Sequence, residues 1–380
     1  MQIPFVDLKT QYLSIKNEID NAIQNVLSDT AFIKGKYVEE FEKNFAKELN
    51  AKYCISVANG TDAIFIAIKV LEIGRGDQVI TAANTFIATS EAISRTGADV
   101  VFVDCNPETY NIDINKIEEK ITDKTKAIIP VHLYGQPADM NLVIKLAKKY
   151  HLFIVEDCAQ AHFAEYLYLD PNDNKSKWRR VGTLGNIGAF SFYPGKNLGA
   201  YGDAGAIITN DDSLAKKIKM YANHGRISKY NHEIQGINSR MDGIQGAILN
   251  VKLKYLEKWI EKRRKVADIY NELLKDVQQV ICPKVNDNTK HVYHLYVVRA
   301  KQREDLREFL KSKGIATGIH YPIALPNLIA YKYLGHKQKD FPLATKYEKQ
   351  LLSLPIYPEI KKEQIQYVVE NIKQFYNKTK

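Results

Sequence analysis

Seven short apolar runs recur between Tyr53 and Thr209, and helical periodicity fills several of the gaps between them; nothing else in the chain constrains its fold as strongly. The runs cover 53–58, 78–83, 99–104, 126–132, 152–156, 188–193 and 204–209, with helical spacing at 62–72 and 141–150. Strands separated by helices reach one another through crossovers, so the pattern predicts an α/β fold with a mostly parallel seven-stranded sheet flanked by helices on both faces. Ligands of such sheets collect at the carboxyl ends of the strands.

Two amphipathic helices precede the sheet, marked by Ile15, Ile19, Ile23 and Val26, then by Val38, Phe41, Phe45 and Leu49. From Met241 one long helix is expected, with Ile244, Ile248, Val251, Tyr255 and Trp259 on one face. A strand-like 291–299, a helix over 303–313 and a closing helix over 362–376 follow. A chain of 380 residues exceeds one small core. The expected division is a large domain, 1–250, and a smaller C-terminal α/β domain, 251–380.

Composition closes off several classes. The four cysteines lack metal-binding spacing and read as reduced thiols, no metal site is indicated, and neither a signal peptide nor a membrane span is evident. The expected location is cytoplasmic. The net charge of +10 admits an anionic partner. Its densest cluster, residues 254–265, interleaves lysines with Leu256, Trp259 and Ile260 at helical spacing, which reads as the solvated face of a packed helix rather than a nucleic-acid stripe.

Lys196 is a lone cation between two apolar runs, loosened by Gly199, Gly202 and Gly205. A desolvated lysine loses its proton readily, and the neutral amine attacks carbonyls, including that of pyridoxal phosphate; the alternative is a head group that reaches solvent. Asp157 ends an apolar strand, either capping the next helix or keeping a heterocyclic nitrogen protonated, and Gln160 stands three residues on as a donor to a phenolic oxygen. Asn59-Gly60-Thr61-Asp62 opens a helix after a strand, a place where free N–H groups suit a phosphate and where Thr61 or Asp62 serves equally as a cap. Ser191 is placed to share that phosphate. Phe86 fits a ring stack or the core. His162, His224, His294 and His320 are candidates for a cleft, each also explicable as a structural histidine.

Taken in order, these parts resemble the fold type I pyridoxal-phosphate enzymes, and specifically the DegT-like nucleotide-sugar aminotransferases. The likeness runs from Ile3–Leu8 through 32–35, 59–62, 85–86, 156–162, 190–197, 223–226 and 238–242 to 294–296 and 353–355. It implies that Lys196 binds the cofactor covalently and then moves protons. Asp157 and Gln160 would hold the ring, Phe86 would stack on it, and Gly60, Thr61 and Ser191 would hold the phosphate. Asn238 would reach that phosphate from a partner subunit, making the enzyme a homodimer with shared active sites. The substrate is expected to meet His162, Tyr193, Arg226, Arg240, His320 and Tyr321.

The resemblance further implies glutamate as amino donor and a nucleotide-linked keto sugar as acceptor, in a ping-pong cycle. The wording of 191–200 is similar to members that aminate C3 of thymidine-diphosphate 3-keto-6-deoxyhexoses; members that aminate C4 usually carry histidine at the Tyr193 position. Amination at C4 is the alternative. A sugar dehydratase of this fold would carry histidine at position 196, and a non-enzymatic binding protein would not need Lys196, Asp157 and Gln160 together. Phe163 stands where glycine is common, and 166–180 is longer than the usual connection; both are expected near the sugar pocket.

Overall fold

The computed structural model describes residues 1–170 and 175–378. Helices α1 (Leu8–Ser14), α2 (Lys16–Ser28) and α3 (Lys36–Leu49) lead into β1 (Tyr53–Val57) and α4 (Gly60–Val70). Then come β2 (Gln78–Ala82), α5 (Ile87–Thr96), β3 (Asp99–Val103), β4 (Thr125–Ile129), α6 (Met140–Tyr150) and β5 (Phe153–Asp157). A hairpin, β6 (Glu165–Leu169) and β7 (Ser176–Arg180), precedes β8 (Ile187–Ser191), β9 (Gly205–Thr209) and α7 (Asp212–Tyr221). Helices α8 (Gly243–Leu253) and α9 (Leu256–Leu274) follow.

All seven expected strands form one sheet in the order β1-β9-β8-β5-β4-β2-β3. Only β9 runs against its neighbours, β1 and β8; the other pairings are parallel. Side chains alternate across the sheet, so Val79, Val155 and Ile207 enter one core while Ile80, Ile154 and Ile208 enter the other. Helix α4 packs in the first core and is buried from Ala63 through Ile68, which is why its sequence is apolar all round. Helix α3 packs Phe41 and Phe45 into the second. Each such fully buried side chain contributes roughly 1.5–3 kcal/mol.

A third core gathers Tyr270, Tyr296, Leu306, Val368 and Ile372 around a three-stranded antiparallel sheet of Val280–Ile281, Tyr296–Ala300 and Leu351–Leu354. Helix α9 links several cores, with Leu256 and Ile260 in the second, Val266, Tyr270 and Leu274 in the third, and Trp259 in a fourth beside Ile15 and Ile19. Residue 250 lies inside α8. Leu256, Trp259 and Ile260 are buried and the intervening Glu257 and Lys258 exposed, as the packed-helix reading of 254–265 requires.

Three expectations change. The single helix from Met241 is two, because the amides of Lys254 and Tyr255 bond three residues back, to Val251 (3.3 Å) and Lys252 (3.0 Å), and tighten the last turn. The re-aimed helix packs Trp259 against the core of Ile15 and Ile19. Strand 291–299 forms only from Tyr296. Before it the chain bends at Tyr293 (φ 44°) and docks on residues 134 and 135, the amides of Val292 and Leu295 bonding the carbonyls of Gly135 (3.0 Å) and Tyr134 (3.2 Å).

The third change concerns 166–180. It is a hairpin, with β6 pairing β7 and also Thr289–Lys290. Arg180 bonds Glu48 and Glu257, and its guanidinium lies 3.7 Å from the Phe163 ring centroid. Phe163 is buried beside Phe45. Neither Phe163 nor any described residue of 166–180 lines the central cavity; residues 171–174 lie outside the described residues. The hairpin faces α3 and α9 because Arg180 finds its carboxylates there. Among the described residues no helix is long and apolar enough to cross a membrane.

Candidate active site

A cavity of 520 Å³ opens at the carboxyl ends of β5 and β8 and the start of α4. Chain direction explains the place: β1, β5 and β8 all end there, and the connections leaving them carry the polar residues.

Asp157 is the last residue of β5 and is 5% exposed. Its Oδ2 accepts from the Thr89 hydroxyl (2.8 Å) and its Oδ1 from the Ala159 amide (3.1 Å). Burial pushes its carboxyl up, against the opposing pull of those two donors and of Lys196. Its neighbour Glu156 points to the other face, where His132 Nε2 (3.0 Å) and the amides of Gly182, Leu184 and Gly185 fill its oxygens. Cys158 completes a buried His132–Glu156–Cys158 group, but these hydrogen bonds already occupy the oxygens of Glu156, and His132 Nδ1 accepts from the Ala138 amide.

Lys196 sits in the turn after β8, its amide bonded to the Tyr193 carbonyl (2.8 Å). Its side chain lines the cavity, and burial pushes its ammonium down to about 8 against the pull of Asp157. It has no hydrogen-bond acceptor among the described residues.

At the start of α4 the cap is Asn59, whose side chain accepts from the Asp62 amide (2.8 Å). Thr61 and Asp62 are thereby released from the capping role. A Cβ on Gly60 would lie 2.5 Å from the Ser191 Cβ, so only glycine lets the helix start meet the end of β8. First-turn amides then stand beside the Ser191 hydroxyl, a setting that favours an oxyanion.

Gln160 is held at both ends. Its carbonyl accepts the Tyr134 amide (2.6 Å) and its NH₂ donates to the Tyr321 hydroxyl (2.9 Å). Phe86 is 53% exposed toward the cavity, which excludes the core alternative, and its ring lies 5.6 Å from that of Tyr321. His320 bonds Ser353 through Nδ1 (2.8 Å) and stacks on Phe5, while Tyr134 donates to its carbonyl. Tyr193 also lines the cavity.

Lys196, Gly60, Thr61, Phe86, Asp157, Gln160, Ser191, Tyr193, His320 and Tyr321 therefore converge. His162 does not. It is fully buried, its ring 5.7 and 5.6 Å from Phe190 and Phe192, with both ring nitrogens unpartnered among the described residues. Burial and the nearby Lys196 push it down to about 3, so it is a neutral imidazole. Asn238, Arg226 and Arg240 also lie outside the cavity of their own chain. Arg240 and Arg226 join burial in pushing the Lys34 ammonium down, which places them in one cationic group with it.

Sequence reasoning missed Thr89 and Tyr134. Neither sits in a recognisable pattern; Thr89 lies one turn into α5 and Tyr134 at a left-handed bend (φ 59°). His294 and Phe5 line the cavity as well, and each lay in a segment that the sequence had already marked.

Comparison with known proteins bears on this arrangement. The model of the DegT/DnrJ/EryC1/StrS aminotransferase family matches residues 13–373. A Geobacillus stearothermophilus protein named pleiotropic regulatory protein is 47% identical over 378 residues, 99% of this chain and 99% of that protein. The dTDP-3-amino-3,6-dideoxy-alpha-D-galactopyranose transaminase of Aneurinibacillus thermoaerophilus is 45% identical over 373 residues, 98% of this chain and 99% of the enzyme. The crystal structure of S. venezuelae DesV superposes with a TM-score of 0.94 at 38% identity, covering 98% of both chains. With a family match spanning the sheet, the cavity and the C-terminal core, the chain belongs to the DegT/DnrJ/EryC1/StrS aminotransferase family and is a pyridoxal-phosphate-dependent aminotransferase.

Proposed function

We propose that this enzyme transfers the amino group of glutamate to C3 of a thymidine-diphosphate 3-keto-6-deoxyhexose. The observation that carries the catalytic part is the placement of the Lys196 amine, which has no hydrogen-bond acceptor among the described residues, in one cavity with the Asp157 carboxylate; burial there pushes its ammonium down to about 8. The donor set fits the cofactor: a bare glycine and a hydroxyl at a helix start for the phosphate, an exposed aromatic for the ring, and a buried carboxylate at the strand end. Bound there, pyridoxal phosphate supplies an electron sink for the pair left when the donor's Cα–H bond breaks.

The chain's own residues do the rest. Lys196 Nζ, neutral once deprotonated, would hold the cofactor covalently, with water lost as amine and aldehyde join, and once the donor's amine displaces it the freed Nζ would take the proton from the donor's Cα and deliver it to the cofactor's carbon. Asp157 would hold a protonated ring nitrogen, its two oxygens fixed by Thr89 and Ala159. With its carbonyl held by Tyr134, Gln160 would offer the cofactor's phenolic oxygen the NH₂ that also donates to the Tyr321 hydroxyl. Tyr193, His320 and Tyr321 form the wall that meets the sugar, and Phe5 backs His320. Residues 1–250 on this reading hold the cofactor, and 251–380 bring His320 and Tyr321 to it. The four free thiols suit a cytoplasmic enzyme.

The Aneurinibacillus relative supports the 3-amino-6-deoxyhexose class, and the wording of 191–200 supports C3 over C4. A panel of 3-keto and 4-keto nucleotide sugars, assayed with glutamate, is expected to give a 3-amino product from the thymidine-diphosphate 3-keto sugar. Turnover confined to 4-keto sugars would move the reading to C4.

We also propose a homodimer with shared active sites. Phe32, Ile33 and Ile227 are exposed, and Asn238, Arg226 and Arg240 stand away from their own chain's cavity, which supports a role across an interface. Mixing inactive Lys196→Ala and Asn238→Asp subunits after reversible dissociation is expected to restore activity, up to about a quarter of the unmutated sites. Absence of any recovery in verified hybrids would return Asn238 to its own chain.

A further inference from the structure

The chain contains a second buried lysine that the reaction does not use. Lys252, in α8, is fully buried, and its Nζ donates to the Gly199 carbonyl at 2.7 Å and lies 4.4 Å from the Tyr201 ring centroid. Among the described residues no carboxylate pairs with it. Burial pushes its ammonium down to about 8, against a distant pull from Glu359. Packing alone would be served at lower cost by a methionine, which fills similar space without desolvating a charge.

The position of the acceptor gives the lysine a use. Gly199 and Tyr201 belong to the segment that carries Lys196. The Ala200 amide bonds the Phe192 carbonyl (2.8 Å), closing residues 192–200 into a loop, and a Cβ on Gly199 would lie 2.2 Å from the Pro194 oxygen. The far side of this loop is gripped from α8 at two points on one helix face. Besides Lys252, Gln245, seven residues earlier, accepts the Tyr201 amide at 2.9 Å, and a Cβ on Gly202 would meet its Nε2 at 2.8 Å. The loop is thus tied to α8 at Gly199 and, just beyond its end, at Tyr201.

We propose that Lys252, with Gln245, is a positioning residue: it clamps the 199–202 segment to α8 and so fixes where the Lys196 amine stands. This rests on Lys196 being the residue that binds the cofactor. A loosened clamp admits water to Lys196 and misplaces it, and an error of about 1 Å in a reacting group is enough to cost one or two orders of magnitude in rate.

The test compares wild-type, Lys252→Met and Gln245→Leu holoenzymes. Three quantities are read: the pH midpoint of the cofactor's visible absorption, kcat against KM for glutamate, and the residue to which borohydride fixes the cofactor. For Lys252→Met the midpoint is expected to move by about half a pH unit or more, and kcat to fall about tenfold with KM within about twofold. Gln245→Leu is expected to do the same more weakly. A Lys252→Met enzyme with wild-type midpoint and kcat would overturn the clamp. Should that variant not fold, Gln245→Leu decides: a moved midpoint supports the clamp and an unmoved one overturns it. Wild-type enzyme fixed at a residue other than Lys196 would overturn the underlying assignment instead, so the two failures are distinct.

Discussion

Lys196→Ala is expected to lower kcat by on the order of 10⁵-fold, leaving no transamination above background, because in the proposed reaction one side chain serves as both covalent anchor and proton carrier. The loss should appear in kcat rather than in nucleotide-sugar affinity, since Tyr193, His320 and Tyr321 keep their places in the cavity wall. Borohydride should fix cofactor to the wild-type chain and not to the variant. The chain offers a strong control: Lys252 is also pushed down to about 8, yet its amine is spent on the Gly199 carbonyl and does not line the cavity. Fixation at Lys252 in the variant would mean that burial alone, rather than placement, selects the reactive amine.

The same amine sets a pH dependence. Only its neutral form attacks a carbonyl, and burial places its titration near 8, below the ordinary lysine value. The rate at which cofactor-free protein captures pyridoxal phosphate should therefore rise with pH through a midpoint near 8 and level off above it. A rate still climbing at pH 10 would show that the amine is solvated.

What the sequence disclosed follows physical lines. The seven strands were legible because each is buried along most of its length, exposure being confined to residues near the strand starts such as Asp99, Lys126 and Phe153, so each reads as a mostly apolar run beside helices with their own period. The β6–β7 hairpin was not, because much of it lies on the surface: Leu169, Lys177 and Trp178 are exposed and in β6 only Tyr166 is fully buried, so neither run reads as an uninterrupted apolar strand. At the site, Asp157 and Gly60 were legible from position alone, one ending a strand and the other opening a helix.

His162 was misplaced for the opposite reason. It shares the 156–162 stretch with Asp157 and Gln160, but chain proximity cannot say which side of the sheet a residue takes after the strand ends, and this one turns back among Phe190 and Phe192. Thr89 and Tyr134 act through contacts 68 and 26 residues away, separations at which a single sequence carries no pairing signal.

Thr89 matters because it bears on the second large effect. Asp157→Asn is expected to fold normally and to lose kcat by on the order of 10³-fold, the scale for removing one preorganised charge from a closed site. The fold should hold because asparagine has the same shape, and its amide can meet Thr89, whose hydroxyl rotates to accept. What disappears is the negative charge. A buried carboxylate is costly, and here burial already pushes its proton affinity up; two donors and Lys196 keep it available as an acceptor. Asparagine presents no charge to stabilise a protonated ring nitrogen, so that nitrogen reverts to neutral and the substrate carbon holds its proton more tightly. Thr89→Val should give a smaller loss in the same direction, since it removes one donor and leaves the charge. Reconstituting Asp157→Asn with a cofactor methylated at the ring nitrogen, permanently cationic, should recover part of the lost rate. Equal activity of Asp157→Asn and wild type would instead leave Asp157 as no more than the strand-end residue that the Thr89 hydroxyl and the Ala159 amide tie down.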